Sequence, residues 1–286
     1  MKAFLEWSTD CLNQAGIDSP RMEAEVLLAG TLRLCREEIY RRPERILSEA
    51  DKSLLRDLIG RRIRQEPVAY ILGHREFWSL DFKTTPDALI PRPETEILIE
   101  TLFALNDENP TDQSLHLLEI GTGSGVIAVV TAREIVNCQV TATDHSTEAL
   151  AVARTNAEKH GVSKKIKFFQ CDMFTGLPEG PYDFIVSNPP YIETIRLNDL
   201  MPDVRDFEPR CALDGGIDGL DFYRRIVPGA LDYLKEGGGL VLEIGETQAM
   251  AVSRLLCVGD KYEIIKVTQD GCGYDRVVSA RKRTNG

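Results

Sequence analysis

Apolar positions in the first part of the chain recur at helical intervals. Ala24, Leu27, Leu28, Thr31 and Leu32 follow the i, i+3, i+4, i+7, i+8 rhythm of one buried helix face, and Leu55, Leu58, Ile59 and Ile63 repeat it. Ser48 with Asp51 three residues on predicts a capping box ahead of the second stripe, and Pro67 marks its far end. Residues 1–68 therefore read as a small helical bundle. Over 69–90 the period shortens: Phe77, Leu80 and Phe82 are separated by polar residues, and Ile90-Pro91-Arg92-Pro93 closes the stretch, which predicts a β-hairpin linker. Glu94 to Leu105 is again helical in spacing. Strand-like runs then alternate with helical segments at 115–120, 138–143, 165–170, 182–187 and 239–244, with two more near 262–267 and 275–280. That alternation predicts an α/β domain built on a mostly parallel sheet over 91–286.

The 286 residues, 43% of them hydrophobic, supply a core for one large domain or two. The formal charge of −11 is unevenly placed, because residues 1–70 carry 12 basic and 12 acidic side chains. The deficit falls wholly on residues 71–286, which argues against nucleic acid as a direct substrate held by bulk electrostatics. Within the first part, residues 33–64 hold 10 basic against 6 acidic side chains, so the face around Arg61, Arg62 and Arg64 is a candidate dock for an acidic protein. The seven cysteines include no C-x-x-C pair, and His74, His116, His145 and His160 show no ligand or triad spacing, so no metal is expected. Reduced thiols, an N-terminus without a signal pattern and the lack of a long apolar stretch predict a cytoplasmic protein with no membrane partner.

The run Leu117-Leu118-Glu119-Ile120-Gly121-Thr122-Gly123-Ser124-Gly125 is an apolar strand entering a glycine-rich turn that opens a helix near Val126. Glycines let backbone approach a ligand, and a helix N-terminus offers free N–H groups. The G-x-G-x-G spacing favours S-adenosylmethionine over the pyrophosphate of a nicotinamide dinucleotide, with a plain tight turn as the further alternative. Asp144 ends the next strand, 23 residues after Gly121, where a carboxylate can accept both hydroxyls of a ribose. Asp172 and Met173 follow the third strand, where an adenine ring would lie in a doubly wound sheet; an ordinary loop acid beside a core methionine is the other reading. The fourth strand runs into Asn188-Pro189-Pro190-Tyr191. Two prolines set that backbone and remove competing donors, so the Asn188 amide and the Pro189 carbonyl form an acceptor pair for an NH2 group. Holding both protons of a poorly nucleophilic NH2 and aiming its lone pair at a methyl carbon is what catalysis requires here.

The ordered set Phe77-Trp78, Pro91-Arg92-Pro93-Glu94-Thr95-Glu96, the Gly121–Gly125 loop, Asp144, Asn188-Pro189-Pro190-Tyr191 and Ala212-Leu213-Asp214-Gly215-Gly216 resembles the peptide-chain-release-factor glutamine N5-methyltransferases, the PrmC or HemK family. The resemblance spans nearly the whole chain. It implies a class I S-adenosylmethionine-dependent methyltransferase fold, Rossmann-like with a seven-stranded mostly parallel sheet, behind an N-terminal helical substrate-recognition domain and a hairpin linker. It further implies that Gly121, Thr122, Gly123, Ser124 and Gly125 line the methionine part of the cofactor and that Asp144 holds its ribose, with Glu119, Asp172, Met173 and Asn188 as further cofactor-binding residues. Asn188, Pro189, Pro190 and Tyr191 would grip the glutamine of a release factor's Gly-Gly-Gln motif. Two departures stand out: Glu119 replaces the family's more usual Asp, and Met173 stands where an aromatic is common. The Asn-Pro-Pro-Tyr motif is shared with nucleic-acid adenine methyltransferases, which form the rival reading. A non-catalytic cofactor-binding module is a third, but it would have no need of Asn188 with two prolines.

Overall fold

The computed structural model describes residues 1–108, 114–177 and 180–284, which form two compact units: 1–74 with 201–207, and 75–200 with 208–286. The smaller unit contains α1 (Lys2–Gln14), α2 (Pro20–Leu32), α3 (Arg36–Arg41), α4 (Glu49–Ile63) and α5 (Val68–Leu72). Its core holds Leu5, Leu12, Leu27, Leu28, Leu55 and Ile59, none more than 2% exposed, so the helical stripes are the buried faces. Ile63, the last position of the second stripe, lies instead in the open. The capping box forms as the spacing predicts: Asp51 N–H donates to Ser48 Oγ at 3.1 Å, and Ser48 N–H donates to Asp51 Oδ2 at 3.2 Å. Pro67 does not end α4 but precedes α5, a turn of helix in residues that the alternation had assigned to the hairpin linker. Ala69, Tyr70 and Ile71 bury themselves in that turn, and tertiary packing overrides the strand-like composition.

Within the basic run Arg61-Arg62-Ile63-Arg64, Arg62 is not open for docking. Arg62 is 3% exposed; its guanidinium pairs with Glu23 and reaches Asp203 Oδ2 at 3.4 Å, on the helical turn Pro202–Phe207. Arg61 pairs with Glu66. A cation removed from water needs its counter-charges, and here they are supplied from within the same unit. Arg62→Ala is expected to destabilise this unit by about 2 kcal/mol in urea denaturation, because Glu23 and Asp203 lose their partner. Arg62→Glu should cost more, so charge reversal at this position reports folding rather than docking.

The larger unit opens with a hairpin, β1 (His74–Phe77) and β2 (Leu80–Lys83), turned by Trp78 and Ser79 at φ of 53° and 55°. Two left-handed residues make the tight turn that suits twisted strands, and Glu96 Oε1 holds it by accepting the Trp78 N–H at 2.8 Å. There follow α6 (Thr95–Asp107), β3 (Leu115–Ile120), α7 (Val126–Glu134), β4 (Cys138–Asp144), α8 (Thr147–Lys159), β5 (Ile166–Gln170) and β6 (Tyr182–Ser187). After α9, the Pro202–Phe207 turn of the smaller unit, come α10 (Asp221–Tyr233), β7 (Leu234–Glu243), α11 (Ala249–Cys257), β8 (Tyr262–Gln269) and β9 (Asp275–Lys282). The seven strands lie in the order β5-β4-β3-β6-β7-β9-β8, all parallel except β9. Alternate residues face two cores, Leu117, Val186 and Val241 one way and Leu118, Ile185 and Leu240 the other. A sheet covered on both faces explains why its strands read as continuous apolar runs. Beyond β3 the chain winds outward to β4 and β5 and then returns to β6 on the other side, and such a reversal opens a cleft at the carboxyl ends of the strands.

Candidate active site

Thr143, Ile120, Ser187 and Leu242 pair as one row across β4, β3, β6 and β7. The next residues, Asp144, Gly121, Asn188 and Glu243, therefore leave four neighbouring strands at the same level. Ser187 Oγ donates to the Ile120 carbonyl at 2.8 Å and Thr143 Oγ1 to the Glu119 carbonyl at 3.0 Å, which pins the row. Above it opens a cleft lined by Glu119, Gly121, Thr122, Gly123, Ser124, Asp144, Asp172, Met173, Asn188, Pro189 and Pro190. Most of the expected site residues are thus brought together, and two are not among the lining. At Gly125, with φ of +84°, a Cβ would come within 2.9 Å of Ala153 Cβ, so this glycine permits the close approach of α7 to α8. Tyr191 packs instead against the apolar core shared by Ile185 and Tyr223.

Gly121 and Gly123 have φ of +73° and +53°, and nothing lies within 4 Å of where a Cβ would stand. The loop thus exposes bare backbone to the cleft. Gly123 N–H donates to Asp144 Oδ2 at 2.9 Å and Ser146 N–H to Oδ1 at 3.0 Å. Each oxygen keeps a further lone pair, so the carboxylate can still accept two hydroxyls. Glu119, 1% exposed, accepts the Thr122 hydroxyl at 2.8 Å on Oε2, while Oε1 has no partner. Burial pushes its pKa up to about 8. Asp172 sits on the rim, paired with Arg225 at 2.6 Å, and Met173 is buried beside it at a left-handed φ of 56°.

Asn188 Nδ2 donates to Thr95 Oγ1 at 3.1 Å, at the start of α6. The segment 212–216 backs the proline turn: Ile192 N–H donates to the Leu213 carbonyl at 3.0 Å, and Gly215 N–H to the Ile192 carbonyl at 2.8 Å. A Cβ at Gly215 would lie 2.8 Å from both the Pro190 carbonyl oxygen and Tyr191 Cα. Sequence reasoning gave no role to Thr95 or Arg92, although both belong to the quoted Pro-Arg-Pro-Glu-Thr-Glu motif, and it passed over Glu208, Glu243 and the lining side chain of Phe222. Glu208, 6% exposed, accepts the Ile90 N–H at 3.1 Å and pairs with Arg92, tying the cleft wall to the loop after α9. Glu243 is 1% exposed and its pKa is pushed up to about 7 by burial.

This fold and cleft define a methyltransferase: residues 93–201 match the methyltransferase small domain model. A methyltransferase from Pyrococcus furiosus shares the fold with a TM-score of 0.53 at 21% identity, over 73% of this chain and 91% of that one. So does the hMettl16 catalytic domain in complex with MAT2A 3'UTR hairpin 6, with a TM-score of 0.59 at 17% identity, over 80% of this chain and 83% of that one. Residues 3–73 match the PrmC N-terminal domain model. The release factor glutamine methyltransferase of Geobacter sulfurreducens is 41% identical over 98% of this chain and 96% of its own. That of Moorella thermoacetica is 42% identical over 95% of each. The chain belongs to the release factor glutamine methyltransferase family.

Glu119 and Glu243 both have folded pKa values above the 4.5 of an ordinary glutamate. The preference they give the folded state is complete below about pH 4.5 and is lost as pH rises through about 7 and 8. Glu119→Gln, which carries no charge to desolvate, should therefore melt higher than the parent at pH 9, with the gap closing by pH 5. Scanning fluorimetry across that range checks it. Gly215→Ala should cost about 1–3 kcal/mol in urea denaturation, because the neighbours its methyl meets are backbone atoms.

Proposed function

We propose that the protein transfers the methyl group of S-adenosylmethionine to the side-chain amide nitrogen of the glutamine in a peptide release factor's Gly-Gly-Gln motif. The observation that carries this reading is the Asn188-Pro189-Pro190 turn set beside the glycine loop in one cleft, in a chain related along its full length to release factor glutamine methyltransferases. The cleft fits the cofactor: the bare backbone at Gly121 and Gly123, the free lone pairs of Asp144 and the unpartnered Oε1 of Glu119 are a donor and acceptor set for an amino acid joined to a ribose. Phe222, Met173 and Leu89 supply apolar walls. When bound, the sulfonium supplies an electrophilic methyl carbon.

The chain's own contribution is to the amide. Asn188 Oδ1 and the Pro189 carbonyl accept the two protons of the substrate NH2, and neither proline presents a competing N–H. Fixing those protons turns the nitrogen lone pair toward the methyl carbon, so orientation and charge stabilisation supply most of the acceleration. The proton lost after transfer leaves to water. The reading places the enzyme in the cytoplasm, and it is supported by seven cysteines that are all free thiols. Among the described residues no helix is long and apolar enough to cross a membrane.

The test is transfer of tritiated methyl to purified release factor, to its Gln→Ala variant at the Gly-Gly-Gln motif, and to tRNA and DNA as competing acceptors. Label should appear on the factor and vanish with the glutamine; label on nucleic acid would favour the adenine reading instead. Asn188→Ala should lower kcat on the order of 10²-fold while cofactor affinity by isothermal titration stays nearly unchanged.

A further inference from the structure

Asn188 can meet a substrate amide in either of two orientations, and they are chemically opposite. With Oδ1 toward the cleft it accepts a proton from the substrate NH2; rotated by half a turn it sets donor against donor. Nothing in the Asn-Pro-Pro-Tyr motif itself selects between them, so the selection must come from behind the residue. Three features lie there. Ser187 pairs with Leu242 in the parallel β6–β7 ladder, so Asn188 and Glu243 emerge side by side from neighbouring strands. Thr95, at the first turn of α6, accepts an N–H of Asn188 through its hydroxyl oxygen at 3.1 Å, which leaves the hydroxyl proton to donate elsewhere. Glu243, on the strand beside Asn188, is 1% exposed and keeps an Oε2 with no partner. Thr95 and Asn188 line the cleft. Glu243 is not among the lining residues and stands behind them.

We propose that Thr95 and Glu243 are positioning residues that hold the Asn188 amide with its NH2 turned into the protein and its Oδ1 turned to the substrate. The proposal rests on the methyl-transfer reading above and names what that site needs in order to recognise an amide. The Thr95 hydroxyl takes one amide proton, the Glu243 carboxylate attracts the other side of the same NH2, and a flipped Asn188 would bring its carbonyl oxygen against that carboxylate. In its ionised form, above about pH 7, the buried Glu243 carboxylate only accepts and cannot satisfy a flipped carbonyl, and the penalty for leaving both unpaired keeps the amide in one orientation. Neither residue touches the reacting atoms. Both act through Asn188.

The test compares Thr95→Val, Thr95→Ser and Glu243→Gln with the parent protein, each alone and in the Asn188→Ala background, after thermal melts establish that each variant folds. Thr95→Val keeps the shape and removes the hydroxyl; it should lower kcat about 10- to 100-fold, as small misplacements of a reacting group do, with cofactor affinity little changed. Thr95→Ser should restore most of that turnover, and Glu243→Gln, which can donate to a flipped carbonyl, should lose about 10-fold. In the Asn188→Ala background Thr95→Val should cost nothing further, because its effect passes through the missing amide. A Thr95→Val loss that persists at full size without Asn188, or a Thr95→Val enzyme with parental kcat, overturns the proposal. An independent readout needs no substrate: in protein labelled with nitrogen-15 asparagine, the Asn188 side-chain NH2 should exchange its protons slowly, and faster in Thr95→Val. Fast exchange in the parent overturns the positioning role. A parent enzyme that protects this NH2 yet methylates no release factor would sink the functional reading while leaving the orientation of Asn188 established.

Discussion

One row of strand pairing carries the site. Thr143, Ile120, Ser187 and Leu242 lie in register across β4, β3, β6 and β7, and the residues that follow them, Asp144, Gly121, Asn188 and Glu243, stand at the strand ends on or behind the cleft. A slip of a single residue in any of these strands would turn its apolar set from one core to the other, which the two well-filled cores forbid. The hydrophobic effect thus sets the register, and the register sets the spacing of Asp144, Gly121, Asn188 and Glu243. The side-chain bonds from Ser187 to Ile120 and from Thr143 to Glu119 add direction at the point where the ladder gives way to loops.

Beyond that row the site is made of loops, and loops are held here by polar contacts and by glycines without side chains. Glu208 ties the loop after α9 to Ile90 and Arg92. Asp214 accepts the Thr194 hydroxyl at 2.6 Å and the Gly216 N–H at 3.1 Å, closing the segment that backs the proline turn. Gly215 leaves that segment no side chain where it meets Pro190 and Tyr191. Two features of the quoted motifs that have no contact with the cleft are explained in the same way: Glu96 steadies the Trp78 turn, and Gly125 allows α7 to approach α8.

Two carboxyl groups, one lining the cleft and one behind it, carry a charge that the fold does not favour. Glu119 and Glu243 are each nearly inaccessible, each keeps an oxygen without a partner, and each has its pKa raised by burial. Such groups destabilise the folded state at neutral pH relative to an apolar replacement, so their presence is a mark of function rather than of stability. Asp144 accepts two backbone N–H groups.

Periodicity alone determined the helical character of the first part of the chain, the seven strands of the sheet and the glycine turn after Glu119, because burial on one or two faces writes itself into the spacing of apolar residues. Composition and motif order also marked Asp144 and the Asn188 turn, since backbone conformation at glycine and proline is a local property. Tertiary structure alone decided the rest. That residues 68–72 turn as helix, that Arg62 is an interior cation and that Gly125 and Tyr191 meet packed neighbours outside the cleft lining all depend on neighbours distant in sequence. Thr95 and Glu243 show the reason most plainly. They lie 148 residues apart in the chain, and both stand beside Asn188, Thr95 from the start of α6 and Glu243 from the end of the neighbouring parallel strand, a juxtaposition that no local pattern encodes.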